Sequence, residues 1–328
     1  MGTITVLQPR TKFQSREIEE SEATILPRVS TKRGASMAIE ITIERKDRTY
    51  KARADGTAAF YVGLSTHYRD KSSGEDFQGL YNVPTNGLPK LVYSAADQRS
   101  AFGFWADVIE PTSKCEGGNY LTLNTYDRAK FTFGFGQFAA HVPDGDFVVY
   151  FRDMLGRPEA TDYFPDLMVK AGRINQLSTT GGVPLESSSS TRPLMDYLNP
   201  STTHIEDDEV IASAKFMHWT ANHQAAQALQ VFHMISTFKG LMAAADRNLE
   251  LNGKAADLCV IVCDILHQGR SKYPAIRQAL ASTNKRDSLL ALGSISYSDR
   301  IAALKAALNA AGATLTGKHW STSKQDFV

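Results

Sequence analysis

Cysteine is scarce. Three in 328 residues are too few for the disulfide framework that staples small secreted domains. Cys259 and Cys263 stand four apart in a helical context, where thiols behave as small hydrophobes, and Cys115 stands alone. Net charge is equally scant. Lys+Arg 36 against Asp+Glu 35 leaves +1, without the basic excess of a chain that lives on nucleic acid, so no nucleic-acid partner is expected. Long apolar runs are missing too. The longest hydrophobic block, Leu258 to Cys263, is closed by Asp257 and Asp264, far short of the roughly 18 residues a membrane helix needs; no membrane span is expected. No positive-then-apolar signal pattern opens the chain. Val6 occupies the position where a myristoylation motif needs Ser or Thr. The expectation is synthesis in the cytoplasm without a standard export address.

Two further absences narrow the chemistry. The zinc-protease pattern His-Glu-x-x-His does not occur, and His218 and His223, five apart, do not stack on one helix face. With Cys259 and Cys263 lacking a partner pair, neither a metal nor a cofactor is expected. Gly134 and Gly136 make half of a dinucleotide fingerprint, but Ala139 stands where the third glycine belongs and no buried strand precedes them. What remains is an average globular composition, 42% hydrophobic and 22% charged.

Patterning divides the chain into an extended N-terminal arm (1–36), a small β-rich segment (37–95) and a larger unit (96–328). In the arm, polar and charged residues follow no helical or strand period. From Ala38 the pattern changes. Ile39, Ile41 and Ile43 alternate with Glu40, Thr42 and Glu44 as in a half-buried strand, and Lys46-Asp47 turns into a second strand. Residues 58–67 read as another strand and 71–89 as loop. A helix capped by Ser94 is predicted through Phe102, Trp105 and Ile109, limited by Pro111. Glycine and aromatic residues at 117–137 predict a short β-ribbon, and the Ser-rich stretch 178–192 a loop. One long helix is predicted from Asp207 through Leu241, a central apolar one over 255–267 ended by Gly269, and a last one from Ser298 to Gly312. The fold class is therefore α+β, mainly α.

Residues 114–141 carry the chemistry. Glu116 stands where a helix gives way to Gly117 and Gly118; Asp127 follows on the ribbon, then Thr132. A ribbon folding back over the helix end sets two carboxyl groups across a cleft, the pair that glycosidic hydrolysis needs: one acid to protonate the leaving oxygen, one carboxylate to activate water. Phe102, Phe104 and Trp105 on the preceding helix predict an apolar niche that keeps Glu116 protonated. Asn124, Thr125 and Arg128 predict a polar one that keeps Asp127 ionised, and Thr132 is expected to hold the water. Each assignment has a plainer rival. Glu116 suits a solvated helix end, Glu110 is the competing acid, Asp127 suits a turn, and Thr132 suits any strand. Tyr120, Tyr126, Phe133 and Phe135 fit sugar stacking and lobe packing equally. His267 to Arg270 read as a buried polar cluster at a helix end, Asp264 as a paired structural carboxylate, and Glu206 to Glu209 as an acidic helix start.

Glu-Gly-Gly-Asn (116–119), the Tyr126-Asp127 turn and Phe-Thr-Phe-Gly-Phe-Gly-Gln (131–137) resemble the active-site segment of the lysozyme-like superfamily, closest to phage-type muramidases and chitosanase-like glycosidases. The resemblance implies a two-lobed lysozyme-like fold with the β-ribbon beside the catalytic helix. It implies Glu116 as general acid, with Asp127 and Thr132 handling the water. Gln137 stands at the position often taken by His or Gln, and Asn124, Tyr126, Tyr120 and His141 are the expected substrate contacts. The chemistry implied is mostly inverting, with the carboxyl groups roughly 6.5–9.5 Å apart.

The implied substrate is a β-1,4-linked amino-sugar polymer, first of all peptidoglycan. The implied partners are a secretion or phage-like delivery apparatus and an immunity protein, with the periplasm or wall of a target bacterium as destination. A chitosan hydrolase with the same residues, and a non-catalytic wall-binding or tail-assembly protein, are the alternatives. The Glu-to-Asp gap is slightly longer than in the compact phage enzymes, the chain is far longer, and residues 37–95 have no counterpart there.

Overall fold

The computed structural model describes residues 38–70, 73–83, 87–179 and 181–328; the arm expected at 1–36 lies outside the described residues. Strands β1 (Ile41–Lys46) and β2 (Thr49–Ala54) form the predicted hairpin. Asp47 takes the left-handed backbone of its turn, at φ 53. β3 (Phe60–Arg69) follows, then β4 (Asp76–Tyr81), paired with β3 along its whole length inside the stretch expected to be loop. Gly79, which reads as a breaker, explains the miss. A Cβ there would lie 2.7 Å from the Thr125 backbone, so the glycine permits close approach within a strand.

The single helix expected from Ser94 is two, α1 (Ala95–Phe102) and α2 (Trp105–Cys115). Gly103, at φ 58, breaks the chain between them. Pro111 lies inside α2 rather than at its end; it is buried, and the helix runs one further turn to Cys115. The ribbon follows as β5 (Leu123–Asn124), β6 (Thr132–Phe133) and β7 (Phe138–Ala139). Tyr81 of β4 pairs with Asn124 of β5. The N-terminal hairpins and the ribbon thus form one seven-stranded antiparallel meander in sequence order.

Helices α3 (Asp146–Leu155) and α4 (Ala160–Tyr163) lead into a three-stranded sheet of β8 (Leu167–Lys170), β9 (Arg173–Ser178) and β10 (Gly181–Pro184). Part of the stretch expected as Ser-rich loop is therefore strand. After α5 (Arg192–Leu198), the predicted long helix divides into α6 (Asp207–Asn222) and α7 (Gln224–Leu249), because His223 is extended at φ −131. The central apolar helix is α8 (Ala256–Gln268), ended by left-handed Gly269 at φ 77; Cys259 and Cys263 are free thiols buried in it. The chain closes with α9 (Tyr273–Ala281), α10 (Lys285–Ala291), α11 (Ser298–Ala310), α12 (Gly312–Leu315) and a hairpin of β11 (Trp320–Ser321) and β12 (Asp326–Phe327).

The architecture is α+β and mainly helical. Helix α2 packs against α7, α8 and α11, which brings distant segments to the end of α2. Among the described residues, no helix is long and apolar enough to cross a membrane.

Candidate active site

Glu116 is the cap residue at the C-terminus of α2. Its backbone N–H donates to the Thr112 and Ser113 carbonyls, and left-handed Gly117 and Gly118, at φ 88 and 65, then turn the chain away. The carboxylate does not meet the expected apolar niche. Trp105 and Phe104 pack against the β11–β12 hairpin through Trp320 and Phe327, at the opposite end of α2. Eleven residues of helix separate Trp105 from Glu116, about 16 Å of rise. The neighbour is instead a cation: Arg300 Nη1 of α11 donates to Glu116 Oε1 at 2.7 Å, both side chains almost wholly buried.

Arg300 also holds Asp264 of α8, donating from Nη2 to Oδ1 at 2.8 Å. Asp264 further accepts from Thr112 Oγ1 at 3.0 Å and from Arg270, the pairing expected of a structural carboxylate. Burial works against its ionisation, but the Arg300 and Arg270 guanidiniums outweigh that and hold the carboxyl down at about 2. The same two carboxylates raise Arg300 against the opposing effect of burial. His267 Nε2 stands 4.0 Å from Glu116 Oε1.

Asp127 occupies the turn between β5 and β6. Asn124 Nδ2 donates to Oδ2 at 2.9 Å and the Ala129 N–H to Oδ1 at 2.8 Å, so the turn residue and the candidate base are one side chain. The ribbon expected to be polar also buries this carboxyl. Burial pushes it up, while the Ala129 and Asn124 hydrogen bonds and the nearby His141 oppose. Thr132 lies opposite Asn124 in the ribbon register and opposite Ala139 on its other side. Gln137, left-handed at φ 51, turns the chain from β6 into β7.

Glu116, Asn124, Asp127, Thr132, Gln137 and His141 line one cleft. Tyr120 and Tyr126 lie outside this lining and correct the expectation of sugar contacts there. Both are buried, Tyr120 against Tyr93 and Phe135, Tyr126 edge-on to Tyr68 and Tyr81. Phe133 and Phe135 are wholly buried as well; packing has claimed all of them. Glu110 turns elsewhere, accepting from the Ala95 N–H at 3.2 Å and pairing with Lys114 at 3.5 Å.

Sequence reasoning missed several lining groups. His267 and Gln268, read as a buried polar cluster, face the cleft, as do Tyr68, Asp70 and Arg128. Arg128 stood beside Asp127 in plain view; nothing local in the sequence points to Tyr68, Asp70 or Arg300. Glu209 lies in the acidic first turn of α6, as read from the sequence, and is also fully buried. Its Oε1 accepts from the Leu80 N–H at 3.2 Å and meets the Thr125 hydroxyl, tying α6 to the turn that carries Asp127. Burial pushes its carboxyl up to about 8 in spite of those bonds. Among the described residues, no group of three or more His, Cys, Asp or Glu side chains is placed to hold a metal ion. Comparison of the chain with models of protein families, with curated proteins and with solved structures finds no match.

Proposed function

We propose that this protein is a glycoside hydrolase of the lysozyme-like kind, cleaving β-1,4 bonds of an amino-sugar polymer, first of all peptidoglycan. The observation that carries the reading is that one cleft gathers Glu116 from a helix end with Asp127 and Thr132 from the ribbon beside it. Glu116 donates its proton to the glycosidic oxygen as the bond from that oxygen to the anomeric carbon breaks. Asp127 takes a proton from water, whose oxygen forms the new bond to the anomeric carbon from the opposite face, and Thr132 aligns that water. The products are one chain end bearing a free hydroxyl and one with inverted configuration. Arg300 engages Oε1 of Glu116 and fixes the orientation of its carboxyl group. Asn124 and the Ala129 N–H hold Asp127 in place.

A second reading draws on the same contact. If Glu116 and Arg300 form a permanent ion pair, the acid has no proton to give, and the cleft belongs to a wall-binding or tail-assembly module. Loss of turbidity of purified sacculi separates the two. The hydrolase reading expects clearing by the wild type and none by Glu116→Gln or Asp127→Asn, with mass spectrometry showing new reducing ends and proton NMR at early times showing their inverted configuration. An inactive wild type supports the binding module, and full activity in Glu116→Gln overturns the assignment of the acid.

A further inference from the structure

The turn that carries Asp127 runs from Thr125 to Phe131, between β5 and β6. Inside it the Lys130 N–H donates to the Asp127 carbonyl at 2.9 Å, and Lys130 takes a left-handed backbone at φ 56. A side chain other than glycine is strained in that region and stays there only where its surroundings hold it.

Asn199 supplies the hold. It caps the C-terminus of α5, where its backbone N–H donates to the Met195 carbonyl at 2.8 Å, and it is wholly buried. Its Nδ2 donates to the Thr125 carbonyl at 3.0 Å and to the Lys130 carbonyl at 2.9 Å. A carboxamide nitrogen carries two hydrogens, so one side chain bridges both ends of the turn and spends its whole donor capacity there. Among the described residues Asn199 Oδ1 has no hydrogen-bond partner. A buried acceptor left unmatched is a cost, so what this amide contributes comes from its nitrogen. The neighbouring contact is of a different kind. Lys130 Nζ meets Asp196 of α5 at 2.5 Å, but the Asp196 side chain is 44% exposed, and an ion pair so open to water contributes little.

We propose that Asn199 is a positioning residue for Asp127: by bridging the Thr125 and Lys130 carbonyls it fixes the turn, and with it the placement of the carboxylate against the water aligned by Thr132. Asn199 lies outside the cleft lining and acts only through the turn. The role rests on reading Asp127 as the base of a glycoside hydrolase. Misplacing a reacting group by about 1 Å costs up to roughly a hundredfold in rate, and the loss falls on turnover rather than on binding.

Steady-state kinetics of the full chain on soluble glycan strands prepared from sacculi separates the two. Asn199→Ser withdraws the donor and should lower kcat at least about tenfold while KM stays within about threefold. Asn199→Asp, nearly isosteric, sets an oxygen against two carbonyls and should fall as low. Asp196→Ala, which removes only the exposed pair, should keep kcat within about threefold. Amide hydrogen exchange reads the turn without reference to activity. The Ala129 and Lys130 N–H groups should exchange at least about tenfold faster in either Asn199 variant, and those of the β3–β4 pairing at the wild-type rate. Either variant alone decides, so the failure of one to fold leaves the test standing. Wild-type kcat in an Asn199 variant, a loss confined to KM, an equal loss in Asp196→Ala, or unchanged exchange at Ala129 and Lys130 each overturns the proposal. Clearing by the wild type with undiminished kcat in Asn199→Ser removes the positioning role and leaves the hydrolase. No clearing by the wild type, with exchange still faster in the variant, removes the hydrolase and leaves Asn199 as a brace of the turn.

Discussion

Arg300 Nη1 and Glu116 Oε1 meet at 2.7 Å across 184 positions of sequence. The same guanidinium reaches Asp264 at 2.8 Å, so α2, α8 and α11 converge on one buried cation behind the cleft. A buried pair of this kind adds little stability of its own, but removing one partner strands the other charge.

Arg300→Ala leaves Glu116 and Asp264 short of a partner in the same step. The expected result is a loss of about 3–5 kcal/mol in denaturant unfolding together with slower clearing of sacculi. Arg300→Lys should fall between wild type and alanine, because an ammonium keeps the charge but cannot form two directed bonds at once. In a double-mutant cycle, Glu116→Gln and Arg300→Ala should couple measurably. Additive effects would show that the contact is energetically idle.

The pH profile of clearing gives a second prediction. On the hydrolase reading Asp127 is the base, which acts only when ionised, and burial pushes its carboxyl up. The acidic limb of the rate should therefore lie at higher pH than an unburied carboxylate would set it, with activity lost as the pH drops through it. Asn124→Ala removes the Nδ2 donor, which favours the ionised form, and should move that limb to higher pH. A limb that stays in place in Asn124→Ala would separate Asp127 from the rate.

The part of the site that was legible in the sequence is the part made locally. Glu116 before two glycines, the Tyr126-Asp127 turn and the strand from Thr132 lie within one short stretch, and the ribbon register brings them to one cleft. The surroundings were not legible, because they come from packing. Of the apolar residues expected around Glu116, Phe102 belongs to α1 and Phe104 and Trp105 to the far end of α2, and the groups that do surround it come from α8 and α11. Aromatic residues near a catalytic motif are ambiguous for the same reason: Tyr120 and Tyr126 went to packing, while Tyr68, from a strand far upstream, went to the cleft. Gly79 and Pro111 show the limit of local punctuation. Each has the residue type of a breaker, and each sits inside an element because a neighbour occupies the space beside it or the packed helix tolerates the loss.

Gly134 gives a third prediction. Its backbone is left-handed at φ 85, and a Cβ there would lie 2.4 Å from Gln230 Oε1. Gln230 is committed, accepting from the Phe135 N–H at 3.2 Å and donating to the Tyr120 carbonyl at 3.1 Å. Gly134→Ala combines backbone strain with displacement of a buried amide. It should cost roughly 1–3 kcal/mol and lower the melting temperature; a variant that melts with the wild type would mean the ribbon adjusts freely.

Glu209 gives the last prediction. The carboxyl stands at about 8 in the folded protein against an ordinary 4.5, with burial as the main cause. Between those two values the folded chain keeps a proton that the unfolded chain has shed, so stability should decline as pH rises across the window and level off above about 8. A tenfold difference in protonation is about 1.4 kcal/mol, so the whole window amounts to at most roughly 5 kcal/mol. Glu209→Gln keeps an acceptor for the Leu80 N–H and the Thr125 hydroxyl but cannot ionise. Urea unfolding of both proteins at pH 5, 7 and 9 should show similar stabilities at the lowest pH and a widening advantage for the variant above it. Parallel curves would mean that the Glu209 carboxyl ionises in place at an ordinary pH. Because Thr125 is two residues from Asp127, the same ionisation should also loosen the turn that carries Asp127, and on the hydrolase reading the alkaline fall in clearing should ease in Glu209→Gln.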